Sequence, residues 1–357
     1  MGRYTAAVVA AGGQARVHAT AYSRFADLVA VADPVESSRE GLAAELGIPR
    51  TYADFERMLS EERPEIVSVC TPPGLHKPAV LAAIAAGAKA VHCEKPIALS
   101  YADVLELVEA AERAGVQLTV NLQRRFEPVH VYARDAIRSG AIGEIRSFEA
   151  HCPNLLDWGS HIVDLLLFYR DDVTPVEVLG QVDVSVNRYV YGALMESASL
   201  TSVSWADGVH ATVTTGRDAE SPVLHPAVPL GVIVEGSLGR ITVTGDGCDV
   251  QRFGAPAERF DSPTDRNSDT WDHGIDPAIF AATSDAIEDL IDALGSGREP
   301  ACAARFGAAG AELIFATYQS SAARARVVLP LGRAAVTIPE GIENGYWHPV
   351  GETASTY

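Results

Sequence analysis

Lysine is scarce in this chain of 357 residues. Among its 28 basic residues only Lys77, Lys89 and Lys95 are lysines, and the others are arginines. Acidic residues outnumber basic ones by 47 to 28, which gives a net charge of -19. Because nucleic-acid binding requires a concentrated positive surface, this balance excludes a basic nucleic-acid binder. Codon usage in a GC-rich genome explains a low lysine content, but it does not explain the three positions that remain.

Paired cysteines and long apolar runs are also missing. The spacing of the five cysteines contains no C-x-x-C, which argues against a zinc ribbon or a disulfide framework and predicts a reducing, cytoplasmic location. The longest apolar stretch, residues 78–88, is shorter than the roughly 20 residues of a membrane span. The first residues are more typical of a β-strand than of a signal peptide, so no membrane partner is expected. The cysteines are Cys70, Cys93, Cys152, Cys248 and Cys302.

The first third of the chain alternates short β-rich runs with helical patterns, which is typical of a doubly wound parallel sheet. We therefore predict an α/β dinucleotide-binding Rossmann domain over residues 1–121. Its predicted strands cover residues 4–11, 28–32, 66–70, 88–93 and 117–121. Its predicted helices cover residues 36–46, 55–60, 78–86 and 101–114, together with one that follows the first strand.

The pattern changes after residue 121. Short strands separated by Gly, Asp and Asn turns predominate between residues 176 and 253, and helical segments flank them. This predicts a second, α+β domain over residues 122–357 with a large, mostly antiparallel, open sheet. The predicted helices of this domain cover residues 128–139, 160–168, 277–294 and 303–325.

A candidate phosphate loop follows the first strand. Aligned with G-x-G-x-x-G, the segment has Ala10 and Ala15 at the outer positions and Gly12 at the middle one, where the backbone approaches a pyrophosphate. Asp33 ends the second strand about 20 residues later, where an acid binds ribose hydroxyls and repels a 2'-phosphate, so NAD is favoured over NADP. The alternative is an ordinary tight turn with a surface aspartate. The predicted cofactor contacts here are Ala11, Gly12, Gly13, Gln14, Ala15 and Asp33.

Two further strand ends carry polar groups at the carboxyl edge of the sheet, where open α/β folds bind ligands. The third predicted strand ends in Cys70, Thr71 and Pro72, with His76 close behind. The fourth ends in Glu94-Lys95-Pro96. A lysine ammonium there would lower the pKa of a substrate hydroxyl and stabilise the alkoxide. The alternative for Lys95 is a surface lysine. The predicted cofactor contacts at these ends are Cys70, Thr71, Pro72, His76, Glu94 and Lys95.

In the second domain, Asp157 and His161 are spaced one helical turn apart, so the carboxylate can orient the imidazole. A histidine titrating near neutrality suits proton abstraction from an alcohol. The alternative is a histidine that is simply part of the core. Trp158 is suited either to stacking on a sugar ring or to core packing.

Two other groups have open interpretations. Arg124 and Arg125 are suited equally to binding a substrate carboxylate and to internal ion pairs, with Arg125 the better candidate for substrate contact. A zinc site formed by His151 and Cys152 with Asp157 and His161 has suitable donors, but the spacing matches no common zinc motif. No metal is therefore predicted.

Several motifs together resemble the Gfo/Idh/MocA oxidoreductase family, which includes glucose-fructose oxidoreductase and inositol dehydrogenase. The resemblance extends over nearly the whole chain. The motifs are His18 in the first strand-loop-helix, C-T-P-P at 70–73 with His76, E-K-P at 94–96, R-R-F at 124–126, S-G-x-I-G at 139–143, D-x-G-x-H at 157–161 and V-V-L-P at 327–330.

The resemblance implies that Lys95, Asp157 and His161 are catalytic. It also implies that Glu94 and Lys95 lie near the nicotinamide and that Asp164 contacts a polyol. The open face of the C-terminal sheet is expected to form a homodimer or homotetramer.

Two features depart from the family pattern. Ala10 replaces the first glycine of the phosphate loop, which is expected to tilt that loop or weaken cofactor affinity. Only residues 144–156 separate Gly143 from Asp157, a shorter segment than in typical members, where it walls the substrate pocket. An open pocket that accepts a larger glycoside is therefore an alternative to a walled pocket.

The predicted function is NAD-dependent hydride transfer between nicotinamide and a secondary hydroxyl of a sugar, cyclitol or glycoside. One alternative is redox-neutral chemistry, in which transient oxidation of a sugar permits elimination or glycoside cleavage. Another is a non-catalytic sugar- or cofactor-sensing regulator with the same fold. The predicted substrate contacts are Lys95, Arg125, Asp157, Trp158, His161 and Asp164.

Overall fold

The computed structural model describes residues 3–216, 231–263, 276–349 and 351–352. These residues form two compact units. The first contains residues 3–99, 103–126 and 276–308, and the second contains residues 100–102, 127–216, 231–263, 309–349 and 351–352.

The first unit is built on a six-stranded sheet of parallel strands in the order β3-β2-β1-β4-β5-β6. The strands are β1 (Thr5–Val9), β2 (Asp27–Ala32), β3 (Arg50–Tyr52), β4 (Ile66–Val69), β5 (Ala90–Cys93) and β6 (Gln117–Val120). Chain order reverses between β1 and β4, which is the switch point where such sheets bind ligands beyond the strand ends. Strands β4 and β5 are buried at every residue, as expected for a covered parallel sheet.

Helices follow the strands of this unit as the periodicity predicts. They are α1 (Gly13–Phe25), α2 (Glu36–Leu46), α3 (Phe55–Glu62), α4 (His76–Ala85) and α5 (Tyr101–Ala114). The predicted Rossmann fold is confirmed. Strand β3 was not predicted, because three partly exposed residues at a sheet edge have too little apolar periodicity.

One late helix differs from its predicted placement. Helix α8 (Pro277–Ser296), assigned by chain order to the second domain, packs against α1 within the first unit. Its Ile287 and Leu290 share a hydrophobic cluster with Tyr22 and Ile66. Apolar periodicity shows that a helix has a buried face, but it does not show which core that face enters.

The second unit contains a nine-stranded sheet in the order β16-β15-β14-β13-β7-β12-β11-β8-β17. Strands β7 and β12 run parallel, and the other neighbouring pairs are antiparallel. The predicted mostly antiparallel sheet is confirmed. Its strands are β7 (Ile145–Cys152), β8 (Glu177–Asp183), β11 (Ala198–Ser204), β12 (His210–Gly216), β13 (Gly231–Gly236), β14 (Gly239–Thr244), β15 (Gly247–Arg252), β16 (Ala257–Asp261) and β17 (Val327–Val328).

A small sheet and four further α-helices are also present among the described residues. The small sheet has the order β10-β9-β18, and helix α9 contributes residues to both units. The elements are β9 (Val186–Val190), β10 (Ala193–Met195), β18 (Gly351–Glu352), α6 (Pro128–Arg138), α7 (Trp158–Tyr169), α9 (Ala304–Ala323) and α10 (Ile338–Glu343). Helix α7 follows the central strand β7 after a short turn and is buried from Gly159 to Tyr169. The motif that begins at Asp157 is therefore located at the end of a central strand.

Candidate functional site

The loop between β1 and α1 is open on the side that a phosphate would occupy. A Cβ atom placed on Gly12 or Gly13 would have no atom within 4 Å. The first helix begins at Gly13, and its N-cap residue makes no side-chain cap hydrogen bond. The first amides of a helix have no intrahelical acceptors and favour an anion. The loop thus fits the pyrophosphate of a dinucleotide.

Asp33 holds this loop to the end of β2. The Ala11 amide donates to Asp33 Oδ2 at 2.8 Å, and the Val35 amide donates to Oδ1 at 2.7 Å. Each carboxylate oxygen can accept a further hydrogen bond, so Asp33 keeps the capacity to bind ribose hydroxyls. Within the same loop Gln14 is exposed, whereas Ala15 is fully buried and belongs to the core.

Ala10 has a strained backbone. Its φ is 95°, and its amide donates to the Ala32 carbonyl at 2.7 Å. Positive φ disfavours residues with a Cβ atom. The alanine at this position therefore adds strain in the segment that begins the phosphate loop.

His76 connects the two strand ends that carry the other predicted cofactor contacts. It is fully buried, and its Nδ1 and Nε2 lie 2.8 Å from the carbonyl oxygens of Pro96 and Thr71. Lys95 is partly exposed beside it, at a cis peptide bond with Pro96. His76 thereby holds the segment after β4 against the segment after β5. Because its side chain is fully buried, this contact gives it a positioning role, and its contact with the cofactor stays a prediction.

Glu94 anchors a buried polar network below these strand ends. His18 Nε2 donates to Glu94 Oε1 at 3.0 Å, and Asn121 Nδ2 donates to the same oxygen at 2.8 Å. The other carboxylate oxygen accepts the Lys95 amide at 3.1 Å. His18 Nδ1 contacts Ser68 Oγ at 2.8 Å. Glu94, the residue before Lys95, is therefore fixed by α1, by the residue after β6 and by the backbone of Lys95 itself.

Charge stabilises this network. Burial disfavours a charged imidazole, but interactions with Cys70 and the Glu94 carboxylate outweigh it and raise the pKa of His18 well above its usual value. Burial likewise opposes ionisation of Glu94, yet hydrogen bonding and attraction from His18 lower its pKa far below the usual value. The pair is therefore a buried imidazolium and carboxylate near neutral pH.

Three buried ionisable residues lie at the start of helix α7 and within it, among mostly apolar side chains. Asp157, His161 and Asp164 are 5%, 4% and 1% exposed, and their spacing of four and three residues puts them along one helix face. Trp158 is partly exposed. Buried polar side chains indicate a functional site more strongly than exposed ones do, because removing a polar group from water has a free-energy cost.

The start of α7 depends on Asn154. Its Oδ1 accepts the amides of Asp157 and Trp158 at 2.9 and 3.0 Å, and its carbonyl accepts the Gly159 amide at 2.9 Å. A Cβ atom on Gly159 would lie 3.1 Å from Leu155 Cδ1 and 3.2 Å from the Asn154 carbonyl. The glycine of D-x-G-x-H is thus needed for close approach of this turn to the helix.

Comparison with known proteins shows the family to which this chain belongs. Residues 4–122 match the family model GFO_IDH_MocA, described as an oxidoreductase family with an NAD-binding Rossmann fold. Over 264 residues, 68% of each chain, the sequence is 30% identical to D-apiose dehydrogenase of Paraburkholderia graminis. The chain belongs to the Gfo/Idh/MocA oxidoreductase family. The family predicted from the motifs and its NAD-binding fold are confirmed.

Other proteins are similar to this Gfo/Idh/MocA chain in part of its length or in fold. Mouse trans-1,2-dihydrobenzene-1,2-diol dehydrogenase is 34% identical over 151 residues, which is 40% of this chain and 45% of that protein. The chain therefore spans less than half of that relative. The structure of an NAD-binding oxidoreductase from Klebsiella pneumoniae has a TM-score of 0.76 over 92% of this chain and 100% of that chain. At 21% identity, that likeness shows a shared fold.

Arg125, predicted to contact substrate, makes internal contacts in the first unit of this Gfo/Idh/MocA protein. It is 5% exposed, and its guanidinium carbon lies 4.1 Å from the centre of the Phe306 ring. Its Nη1 also donates to the Ala301 carbonyl at 3.5 Å. Cation-π stacking and burial give this arginine a packing role, and its substrate contact stays a prediction.

Two kinds of feature are absent from the described part of the chain. No group of three or more His, Cys, Asp or Glu residues there is arranged to hold a metal ion. None of the helices described has the length and apolar character needed to cross a membrane.

Sequence reasoning missed several residues that fix the candidate site. His18 entered only as part of a motif, and Ser68, Asn121 and Asn154 were not selected. Asn154 carries a usable signal, because Asn before an apolar helical run is a common helix cap. Ser68 and Asn121 carry none, since their contacts with His18 or Glu94 join residues far apart in the chain.

Replacing Ala10 by glycine should relieve the strain in the phosphate loop. We expect Ala10→Gly to raise the unfolding free energy by about 1 kcal/mol and to strengthen NAD binding, measured by thermal unfolding and calorimetric titration. The adjacent Ala11→Gly is the control, because Ala11 is a buried core residue without positive φ. It should lower stability. Weaker NAD binding by Ala10→Gly than by the wild type would contradict this account.

Replacing His18 tests the charge pair between His18 and Glu94 through the pH dependence of the unfolding free energy. His18→Gln leaves the buried Glu94 carboxylate without its cation, so we expect a loss of about 3 kcal/mol in unfolding free energy at pH 7.5. His18 has a folded pKa above its ordinary value of 6.5. Its stabilisation is therefore lost as pH rises through the folded pKa, and the difference between wild type and variant should shrink between roughly pH 7.5 and 10.

His92→Gln is the matched control for that experiment. His92 is buried beside His18, and burial lowers its pKa to about 3, so it is neutral in the folded and unfolded states above neutral pH. The difference in unfolding free energy between His92→Gln and wild type should stay constant over the same range. Urea titrations at several pH values measure both. A constant difference for His18→Gln would show that His18 is not an imidazolium in the folded protein.

Proposed function

We propose that this protein is an NAD-dependent dehydrogenase that oxidises a secondary hydroxyl of a sugar, cyclitol or glycoside. The observation that carries the proposal is the position of Lys95, one of three lysines in the chain. It follows a buried carboxylate that accepts hydrogen bonds from His18 of α1 and from Asn121, the residue after β6, and it lies at the ligand-binding edge of the sheet. D-apiose dehydrogenase and the mouse diol dehydrogenase, by their names, act on a sugar and on a diol.

The residues that would hold NAD belong to the first unit. Gly12 and Gly13 leave room for the pyrophosphate, and the amides at the start of α1 supply donors. Asp33 would accept the adenosine ribose hydroxyls and disfavour a 2'-phosphate, which supports NAD over NADP. Thr71 has a buried hydroxyl oxygen without a hydrogen-bond partner among the described residues, so it is available to the cofactor. When bound, NAD supplies the hydride acceptor.

The proposed chemistry requires a proton acceptor and a stabiliser of negative charge. The Lys95 ammonium would stabilise the alkoxide that develops on the substrate oxygen. His161 would accept the hydroxyl proton, and Asp157, the N-cap residue four positions before it, would orient its ring and favour the imidazolium. Asp164 and Trp158 would contact the remaining polyol surface, the first by hydrogen bonds and the second by stacking.

A substrate panel tests the reaction class directly. Sugars, cyclitols and glycosides are incubated with NAD or NADP, and reduced nicotinamide is followed by its absorbance. We expect net NADH formation with at least one member, and higher kcat/KM with NAD than with NADP because of Asp33. Product formation without NADH accumulation would identify redox-neutral chemistry instead. Failure with every polyol would contradict the proposed activity.

Lys95→Met tests the role of the ammonium. We expect kcat/KM to fall by about 10²- to 10³-fold while NAD still binds, because the cation acts on the developing alkoxide. Lys77→Met is the matched control, since Lys77 forms partly exposed ion pairs with Asp103 and Glu106 at 2.5 and 2.7 Å. It should retain its turnover. Normal turnover in Lys95→Met would rule out the assigned role, and titration calorimetry with NAD would establish that cofactor binding persists.

A further inference from the structure

The turn between β7 and α7 is held by two charged side chains from the β9–β10 hairpin. Arg188, in β9, donates from Nη1 to the Pro153 carbonyl at 3.2 Å. Glu196, directly after β10, accepts the Leu155 amide through Oε1. Neither residue belongs to the motifs that indicated the function. Both act on the backbone of the residues that lead into Asp157.

Glu196 is fully buried, and each of its oxygens has a donor. Besides the Leu155 amide, Oε1 accepts the Thr215 hydroxyl at 3.4 Å, and Oε2 accepts the Tyr318 hydroxyl at 2.8 Å. Burial raises the pKa of the Glu196 carboxyl, and the hydrogen bonds from Leu155 and Tyr318 together with the charge of Arg188 oppose that rise. A buried carboxylate has a large desolvation penalty, which is unnecessary if the only requirement is a hydrogen-bonded turn. This free-energy cost indicates that the exact position of the turn is important for the residues that follow it.

The turn controls the position of Asp157 more directly than that of His161. Asp157 is the N-cap of α7, and its amide is held by Asn154, the residue between Pro153 and Leu155. His161 is a full turn inside a helix that is buried from Gly159 to Tyr169. Movement of residues 153–155 would therefore displace the Asp157 carboxylate while the body of the helix keeps His161 in place.

We propose that Glu196, assisted by Arg188, is a positioning residue that sets the placement of Asp157 relative to His161. The inference rests on the proposed function, in which Asp157 orients the imidazole of His161. It predicts that losing the Glu196 acceptor weakens the influence of Asp157 on His161 without affecting the Rossmann unit.

Glu196→Met removes the acceptor with little change in volume. We expect kcat to fall about tenfold while the NAD Kd is unchanged, because the residues that hold NAD lie in the first unit. The pH at which kcat/KM is half-maximal should decrease by about one unit, because the displaced Asp157 carboxylate no longer stabilises the imidazolium of His161. Glu196→Gln keeps an oxygen for the Leu155 amide and can donate to the Tyr318 oxygen, so it should restore most of the activity.

Tyr318→Phe is the matched control. It removes the other donor to the same buried carboxylate but leaves the Leu155 contact in place, so it should lower the melting temperature without changing kcat or the pH profile. Equal losses of activity in Glu196→Met and Tyr318→Phe would reduce Glu196 to a structural role and overturn the proposal. So would unchanged activity and pH dependence in a folded Glu196→Met protein.

A measurement independent of turnover separates this inference from the proposed function. The His161 ring can be titrated by NMR in the protein without NAD, with its signal assigned by loss in His161→Gln. The titration midpoint should decrease in Glu196→Met and return in Glu196→Gln, even if every polyol fails as a substrate. An unchanged midpoint overturns the proposal. Should Glu196→Met fail to fold, Arg188→Met, which releases the Pro153 carbonyl, must show the same decrease.

Discussion

The buried carboxylate of Glu94 is the constraint on which the candidate cofactor region depends. A charge removed from water must be matched by donors, and here the donors come from α1, from the residue after β6 and from the Lys95 backbone. Ser68 of β4 contacts the far side of His18. The helix that begins at the phosphate loop, the neighbouring strand ends and the residue before Lys95 are thus held by one network. A lysine on an unrestrained loop would lose much of its electrostatic effect on a reacting oxygen.

The second unit uses the same device in a different setting. Glu196 is buried like Glu94, and it too accepts a backbone amide next to a motif with predicted chemistry. In each unit the buried carboxylate supports the backbone just before a predicted catalytic residue. Glu94 directly precedes Lys95 in the chain, and Glu196 accepts the amide of Leu155, two residues before Asp157. Catalytic sites in general require that the residues in contact with the substrate are held in place by hydrogen bonds from the residues behind them.

Much of the fold was accessible from periodicity. Helices α2 and α5 have the predicted bounds, and four of the strands in the first sheet were predicted to end within one residue of their observed ends. These segments bury continuous apolar runs or regular helical stripes, and local sequence encodes both patterns. Strand β3 and the placement of α8 could not be predicted. A short edge strand has little apolar periodicity, and the apolar face of a helix does not show which core it packs against. The same division applies to the candidate site: Lys95 and Asp157 were found from motifs, whereas Asn121 and Glu196 act through contacts across more than 25 and 40 residues of chain.

The sequence by itself determined the family, the two kinds of sheet and the residue types available for chemistry, because glycines, strand ends and helical spacing are properties of neighbouring residues. Only the tertiary structure decided that Arg125 stacks on Phe306, that Ala10 has a strained backbone, and that His18 and Glu94 form a buried charge pair. Each of these depends on how far a side chain is removed from water and on which distant group meets it there. Desolvation and long-range contact are three-dimensional quantities, and no local pattern of residues records them.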